Sequence, residues 1–187
     1  MAWKIAALLS GVALSAGIAG GAMAQTRVVD EVLFGGFQHD TNFLASQREH
    51  GADVNLEVRF VSPDFLKFVW SPRLFIGGLV NTEGSTSQGY FGFGWDMTLS
   101  RALFRPDDSI FFRLDLGGSV NDEKTINGDR THKALGSHIL FRESVDFGYH
   151  WTPTWSTMIS FNHISNASLA KHNQGMNDLG LRFGFKL

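Results

Sequence analysis

The sequence contains no cysteine, so it offers no disulfide framework, no thiolate metal site and no thiol nucleophile. Proline is scarce, at 4 of 187 residues, which leaves long stretches unbroken for strand pairing. Neither sign of charge dominates: the formal net charge is −2, which removes any electrostatic case for nucleic acid as a partner. Beyond the N-terminus no apolar run approaches the ~20 residues that a membrane-spanning helix needs. What remains is a β-rich chain, with 21 glycines and an aromatic content of 13% that is mostly Phe.

The first residues read MAWKIAALLSGVALSAGIAGGAMAQ. Lys4 is followed by an apolar, small-residue stretch and then by Ala22-Met23-Ala24, the layout of a secretory signal peptide. Residues 1–24 are therefore expected to be a cleaved leader, and residues 25–187 a single domain. An exported chain without disulfides needs another source of rigidity, and a closed sheet supplies one.

Period-two alternation carries the fold expectation. In one strand Val54, Leu56, Val58 and Phe60 alternate with Asn55, Glu57 and Arg59. In the last strand Leu179, Leu181, Phe183, Phe185 and Leu187 alternate with Gly180, Arg182, Gly184 and Lys186. Residues 90–99 and 110–117 repeat the pattern. Strands at about 29–38 and 73–81 alternate poorly. Two further strands, at about 137–149 and 153–165, bring the count to eight. Polar loops such as NTEGSTSQG separate them.

One face of these strands bears large apolar groups and the other bears Arg, Lys, Glu and Asp spaced by glycines. Paired charges can fill the lumen of a small barrel while aromatics meet lipid. The expectation is an all-β fold, an eight-stranded antiparallel transmembrane barrel of the outer-membrane type, rather than a soluble sandwich. With both termini on the periplasmic side, strand seven runs outward and ends at the extracellular rim.

Strand seven reads TPTWSTMISFNHISN. Counting by twos from Trp155 puts Thr157, Ile159, Phe161, His163 and Ser165 on the lipid-facing side. Imidazole beside hydroxyl is the minimum for an activated nucleophile in ester cleavage. By itself the tripeptide also describes a strand end capped by polar residues at an interface. Backbone N–H groups at Asn166 and Ala167, where the strand ends, are candidates for an oxyanion hole, with Asn166 and Asn173 side chains either assisting or shaping the loop. Glu143 lies in the lipid-facing register of strand six. The tightest hairpin sets it nearer Ile159, and a longer turn brings it diagonally toward His163.

The segment HISNASLAKHNQGMN, with His163, Ser165, Asn166, Ala167, Asn173 and Gly175, resembles the active-site region of the lipid A 3-O-deacylase (PagL-like) family of outer-membrane barrels. The similarity covers about the last 25 residues. It implies a serine esterase that removes the 3-linked acyl chain of lipid A in the outer leaflet, with Ser165 as nucleophile and His163 as base. It further implies outer-membrane location, lipopolysaccharide as substrate, surrounding membrane lipids as neighbours, and no cofactor or metal. A homodimer is compatible with it. The family's acid is Glu, and Asn177 stands at that position with Asp178 next to it. Alternation turns Asn177 to the lipid side and Asp178 inward, so Asn177 is the geometric choice for third member and Glu143 the second candidate. The rival is a small structural or adhesive barrel that has lost the acid. Among outer-loop cations, Arg48, Lys124, Arg130, Lys133 and Lys171 are candidates to meet lipid A phosphates.

Overall fold

The structure, a computed structural model, describes residues 27–43, 46–123 and 129–187. The leader assigned to 1–24, and Lys124, lie outside them. Eight strands follow one another: β1 Val29–Gln38, β2 Ala52–Phe60, β3 Arg73–Asn81, β4 Gln88–Arg101, β5 Ser109–Asn121, β6 Ile139–His150, β7 Trp155–Ser165 and β8 Met176–Lys186. Each pairs antiparallel with its sequence neighbour, and β8 pairs with β1, closing the sheet into a barrel. A short 3₁₀ helix, Asp64–Val69, sits between β2 and β3.

The poorly alternating segments form strands because both neighbours hold them. Gly35 of β1 packs against β8 so closely that a Cβ there would lie 2.2 Å from the Leu181 carbonyl oxygen. β7 begins two residues later than its pattern suggests. The Thr152 hydroxyl accepts the N–H groups of Thr154 and Trp155, making a turn of what reads as strand. β8 starts earlier than expected, at Met176, because β7 pairs with it as far as Ile164.

Burial is inverted relative to a water-soluble protein. The largest fully buried side chains include Arg59, Arg113, Arg142 and Arg182, whereas Ile76, Phe91 and Ile159 are 55%, 61% and 58% exposed. Soluble monomers rarely leave contiguous apolar patches beyond a few hundred Å², and here the apolar belt circles the barrel. Lipid is the medium that fits it. No helix among the described residues is long and apolar enough to span a membrane. A closed barrel can cross one, because its backbone groups pair between strands and leave no edge.

Inside, charges neutralise one another. Glu57 contacts Arg59 at 2.6 Å and Arg182 at 2.8 Å, and Asp146 contacts Arg182 at 2.5 Å. Arg113 reaches Glu31 at 2.8 Å and Asp96 at 2.5 Å, and Arg59 also pairs with Asp115. Arg142 stacks 3.9 Å over the Tyr90 ring. Gly92 and Gly117, opposite each other on β4 and β5, make room for this filling. A Cβ on Gly92 would meet the Phe75 ring at 2.8 Å, and Arg59 and Arg142 both lie over that ring.

A buried ion pair is costly to break from one side, because the abandoned charge stays in a poor solvent. Glu57→Ala should therefore destabilise the barrel by about 3–5 kcal/mol. Unfolding in detergent, followed by heat-modifiable gel mobility, measures it. An unchanged midpoint would mean that Arg59 and Arg182 are satisfied without Glu57.

Candidate active site

β7 lies between β6 and β8, and cross-strand register decides what meets its polar end. His163 pairs with Glu143 on β6 and with Asn177 on β8, while Ser165 pairs with Phe141. Glu143 is thus directly beside His163 rather than diagonal to it, and Phe147 is the residue opposite Ile159. The four-residue connection 151–154 sets that offset, which neither a two-residue hairpin nor a diagonal approach describes.

Asn177 is the residue that holds the ring. Its Oδ1 stands 2.5 Å from His163 Nδ1, and its Nδ2 donates to the Phe43 carbonyl oxygen at 2.9 Å. A carbonyl can only accept, so the amide nitrogen must face Phe43 and the amide oxygen must face the imidazole. Nδ1 then carries the proton, and Nε2 is left with its lone pair. Among the described residues neither Nε2 nor Ser165 Oγ has a hydrogen-bond partner, and Glu143, which is exposed, makes no ion pair or hydrogen bond. His163 and Ser165 are half-buried and line one cleft of about 550 Å³, together with Phe161, Asn173, Gly175 and Asn177. Gly175 abuts the ring: a Cβ there would sit 2.8 Å from His163 Cε1.

The loop after β7 differs from the sequence expectation. The Asn166 N–H is committed to Asn173 Oδ1 at 2.9 Å, because the strand ends in a tight loop that Asn173 closes. It is therefore not free to hold an oxyanion. The Asn166 side chain turns inward and donates to the carbonyls of Leu135 and His172. Ala167 and Ser168 take left-handed backbone conformations, with φ of 52° and 64°, and the Ala167 N–H has no partner among the described residues. Of the outer-loop cations, Lys133 is buried: its Nζ lies 2.6 Å from Asp40 Oδ1 and donates to the Gly175 carbonyl at 2.7 Å. Arg48 is exposed beside the cleft.

The chain beyond β1 grips Asn177 from the other side. The Thr41 N–H donates to the Asn177 carbonyl at 2.7 Å, and the Phe43 ring meets Phe161 edge-on at 5.5 Å. A buried cluster anchors this segment. His39 Nδ1 is 2.9 Å from Asp53 and 3.8 Å from Asp178, and Nε2 is 3.2 Å from Glu49. Burial alone would push the imidazolium pKa down, but the hydrogen bonds to Asp53 and Glu49 and the charge of Asp178 lift it to about 10. Burial likewise opposes the Glu49 carboxylate, yet hydrogen bonds from His39, Thr86 and Lys133 hold it at about 2. His39 is thus a cationic clamp between β1, β2 and β8. A histidine with no metal-like spacing gave no sequence signal of this; the β1–β2 hairpin brings Glu49 and Asp53 to it, and the barrel's closure adds Asp178.

The sign of its pH dependence follows. The His39 pKa is raised on folding, so its stabilisation is complete below about 6.5 and is lost as pH climbs through about 10. The Glu49 pKa is lowered, so its share is present above about 4.3 and fades as pH falls through about 2. Thermal midpoints in detergent should fall between pH 6.5 and 10, and His39→Gln should flatten that slope. Equal slopes in the two proteins would assign the pH dependence to other groups.

Fold and site together define a small outer-membrane barrel with a serine, a histidine and an asparagine gathered on its outer wall. A family model described as lipid A 3-O-deacylase (PagL) matches residues 50–186. The chain belongs to that family. Among solved structures, the outer membrane enzyme PagL is similar at a TM-score of 0.61 and 15% identity, over 85% of this chain and 99% of that one. The N-terminal β-barrel domain of Pseudomonas aeruginosa OprF scores 0.47 at 10% identity, covering 85% and 98% of the two chains. Yersinia pestis Ail also scores 0.47 at 10% identity, covering 86% and 99%. No relative is found among curated proteins.

Proposed function

We propose that this barrel is a lipid A 3-O-deacylase, a serine esterase that hydrolyses the 3-linked acyl chain of lipid A in the outer leaflet. The observation that supports it most is the amide of Asn177, oriented by the Phe43 carbonyl so that His163 holds its proton on Nδ1 and presents Nε2 as base. Ser165 Oγ attacks the ester carbonyl as Nε2 takes the hydroxyl proton; Nε2 then returns that proton to the departing sugar oxygen. Water from the rim then attacks the acyl carbonyl as Nε2 takes its proton, and Nε2 returns that proton to Ser165 Oγ as the acyl–oxygen bond breaks and the fatty acid leaves. The Ala167 N–H is the candidate oxyanion donor, with Asn173 shaping the loop. Glu143, directly across from the ring in register, is the second candidate for the third member.

Substrate reaches an outward-facing nucleophile laterally, so its acyl chains lie along the apolar wall of β6, β7 and β8. Incubating the folded barrel with lipopolysaccharide and reading lipid A by mass spectrometry tests the assignment. Loss of a single hydroxyacyl chain is expected. Unchanged spectra across lipid A preparations would favour a structural barrel that keeps the fold without turnover. Loss of acyl chains from added phospholipid instead would reassign the substrate.

A further inference from the structure

The connection between β2 and β3, at the opposite end of the barrel from His163, is not built as a solvated turn. Its 3₁₀ helix Asp64–Val69 contains no buried residue, and Phe65, Phe68 and the capping Trp70 are 74%, 81% and 86% exposed. With three residues per turn, positions i and i+3 eclipse one another. The helix therefore has three distinct ridges. Leu66 and Val69 are half-buried; Asp64 and Lys67 form an exposed ion pair at 2.9 Å; Phe65 and Phe68 make an exposed aromatic ridge.

This amphipathic helix stands beside the lipid-facing wall. The Trp95 indole N–H donates to the Val69 carbonyl at 2.8 Å, and Trp95 shares the outer face of β4 with Phe93 and Met97, well short of the strand's end at Arg101. β3 accompanies β4 only as far as the Arg73–Gly94 pair, so β4 beyond Gly94 lacks a β3 neighbour. Trp70 and Ser71 take left-handed φ values of 63° and 53°, a conformation that L side chains rarely adopt, and their N–H groups close the helix on Lys67 and Leu66. Met97 and Leu99 on β4, and Leu103 and Phe104 on the β4–β5 turn, are exposed as well.

We propose that the 3₁₀ helix is an in-plane membrane anchor. Phe65, Phe68 and Trp70 insert at the acyl–headgroup boundary of the phospholipid leaflet opposite the His163 end, and the Asp64–Lys67 ridge lies among the headgroups. Two large aromatics on one ridge, a third exposed aromatic at the cap and an ion pair on another ridge match an interface that is apolar below and wet above. Lipid is favoured over a protein partner because the helix is fastened, through Val69 and Trp95, to a wall already facing lipid. The anchor rests on the membrane reading and is independent of the hydrolase reading.

The absence of cysteine makes the test direct. Single variants Asp64→Cys, Phe65→Cys, Phe68→Cys and Ile159→Cys would carry a nitroxide in phosphatidylcholine vesicles, with collisions measured against oxygen and a water-soluble nickel chelate. Labels at 65 and 68 should resemble the wall label at 159, with oxygen favoured, and the label at 64 should favour nickel. Nickel access at 65 and 68 would overturn the anchor in favour of an aqueous turn. Shielding from both reagents would overturn it in favour of protein cover, such as a second copy. Should labelled variants not fold, Trp70→Phe serves: it should reduce the share of emission quenched by acyl-brominated lipid. An unchanged share rules the anchor out.

Discussion

Ser165→Ala should abolish release of the hydroxyacyl chain, lowering turnover by at least about 10³-fold, while the barrel still folds and inserts. The hydroxyl has no hydrogen-bond partner among the described residues, so its removal leaves no orphaned group in the structure. It also faces the cleft rather than the lumen, where the stabilising ion pairs lie. Stability and activity should therefore separate cleanly. Heat-modifiable mobility reports the first and mass spectrometry of lipid A the second. Wild-type spectra from cells making the Ser165→Ala protein would end the assignment of Ser165 as nucleophile, whatever the fate of the substrate proposal.

Asn177 should respond to substitution in both directions. Asn177→Ala removes the acceptor from His163 Nδ1 and the donor to Phe43, so the ring is free to turn and to change tautomer. Turnover should fall by about 10²–10⁴-fold, since loss of the correct tautomer is worth about that much in a serine triad. Asn177→Glu restores a full negative charge beside the imidazolium that forms during attack. Hydrogen bonds to charged groups exceed neutral ones by roughly 1 kcal/mol, so a gain of about fivefold is expected. Against this stands the lost donor to Phe43, which is why the gain is modest. If Asn177→Glu gives nothing while Glu143→Gln removes activity, the carboxylate on β6 is the third member. The two strands flank His163 equally closely in register, so kinetics must choose between them.

Alternation made most of the barrel legible, because a strand with lipid on one side and a filled lumen on the other must switch polarity at every residue. It was weakest in β1 and β3, where glycines replace side chains at close approaches such as Gly35 against β8. The His163–Ser165 pair and the inward turn of Asp178 were readable for the same reason. Neither the direct apposition of Glu143 nor the commitment of the Asn166 N–H was readable. Register across a hairpin depends on how its turn is built, and loop hydrogen bonds depend on groups brought from elsewhere.

The sequence by itself determined that the alternating strands would put arginines inside and aromatics outside, since burial preferences act residue by residue along each strand. It also determined that a histidine and a serine would share the outer face. Only the tertiary structure decided what orients the histidine. Asn177 comes from β8 and Phe43 from the chain beyond β1, which meet only where the barrel closes, and closure is a long-range event that no local pattern encodes.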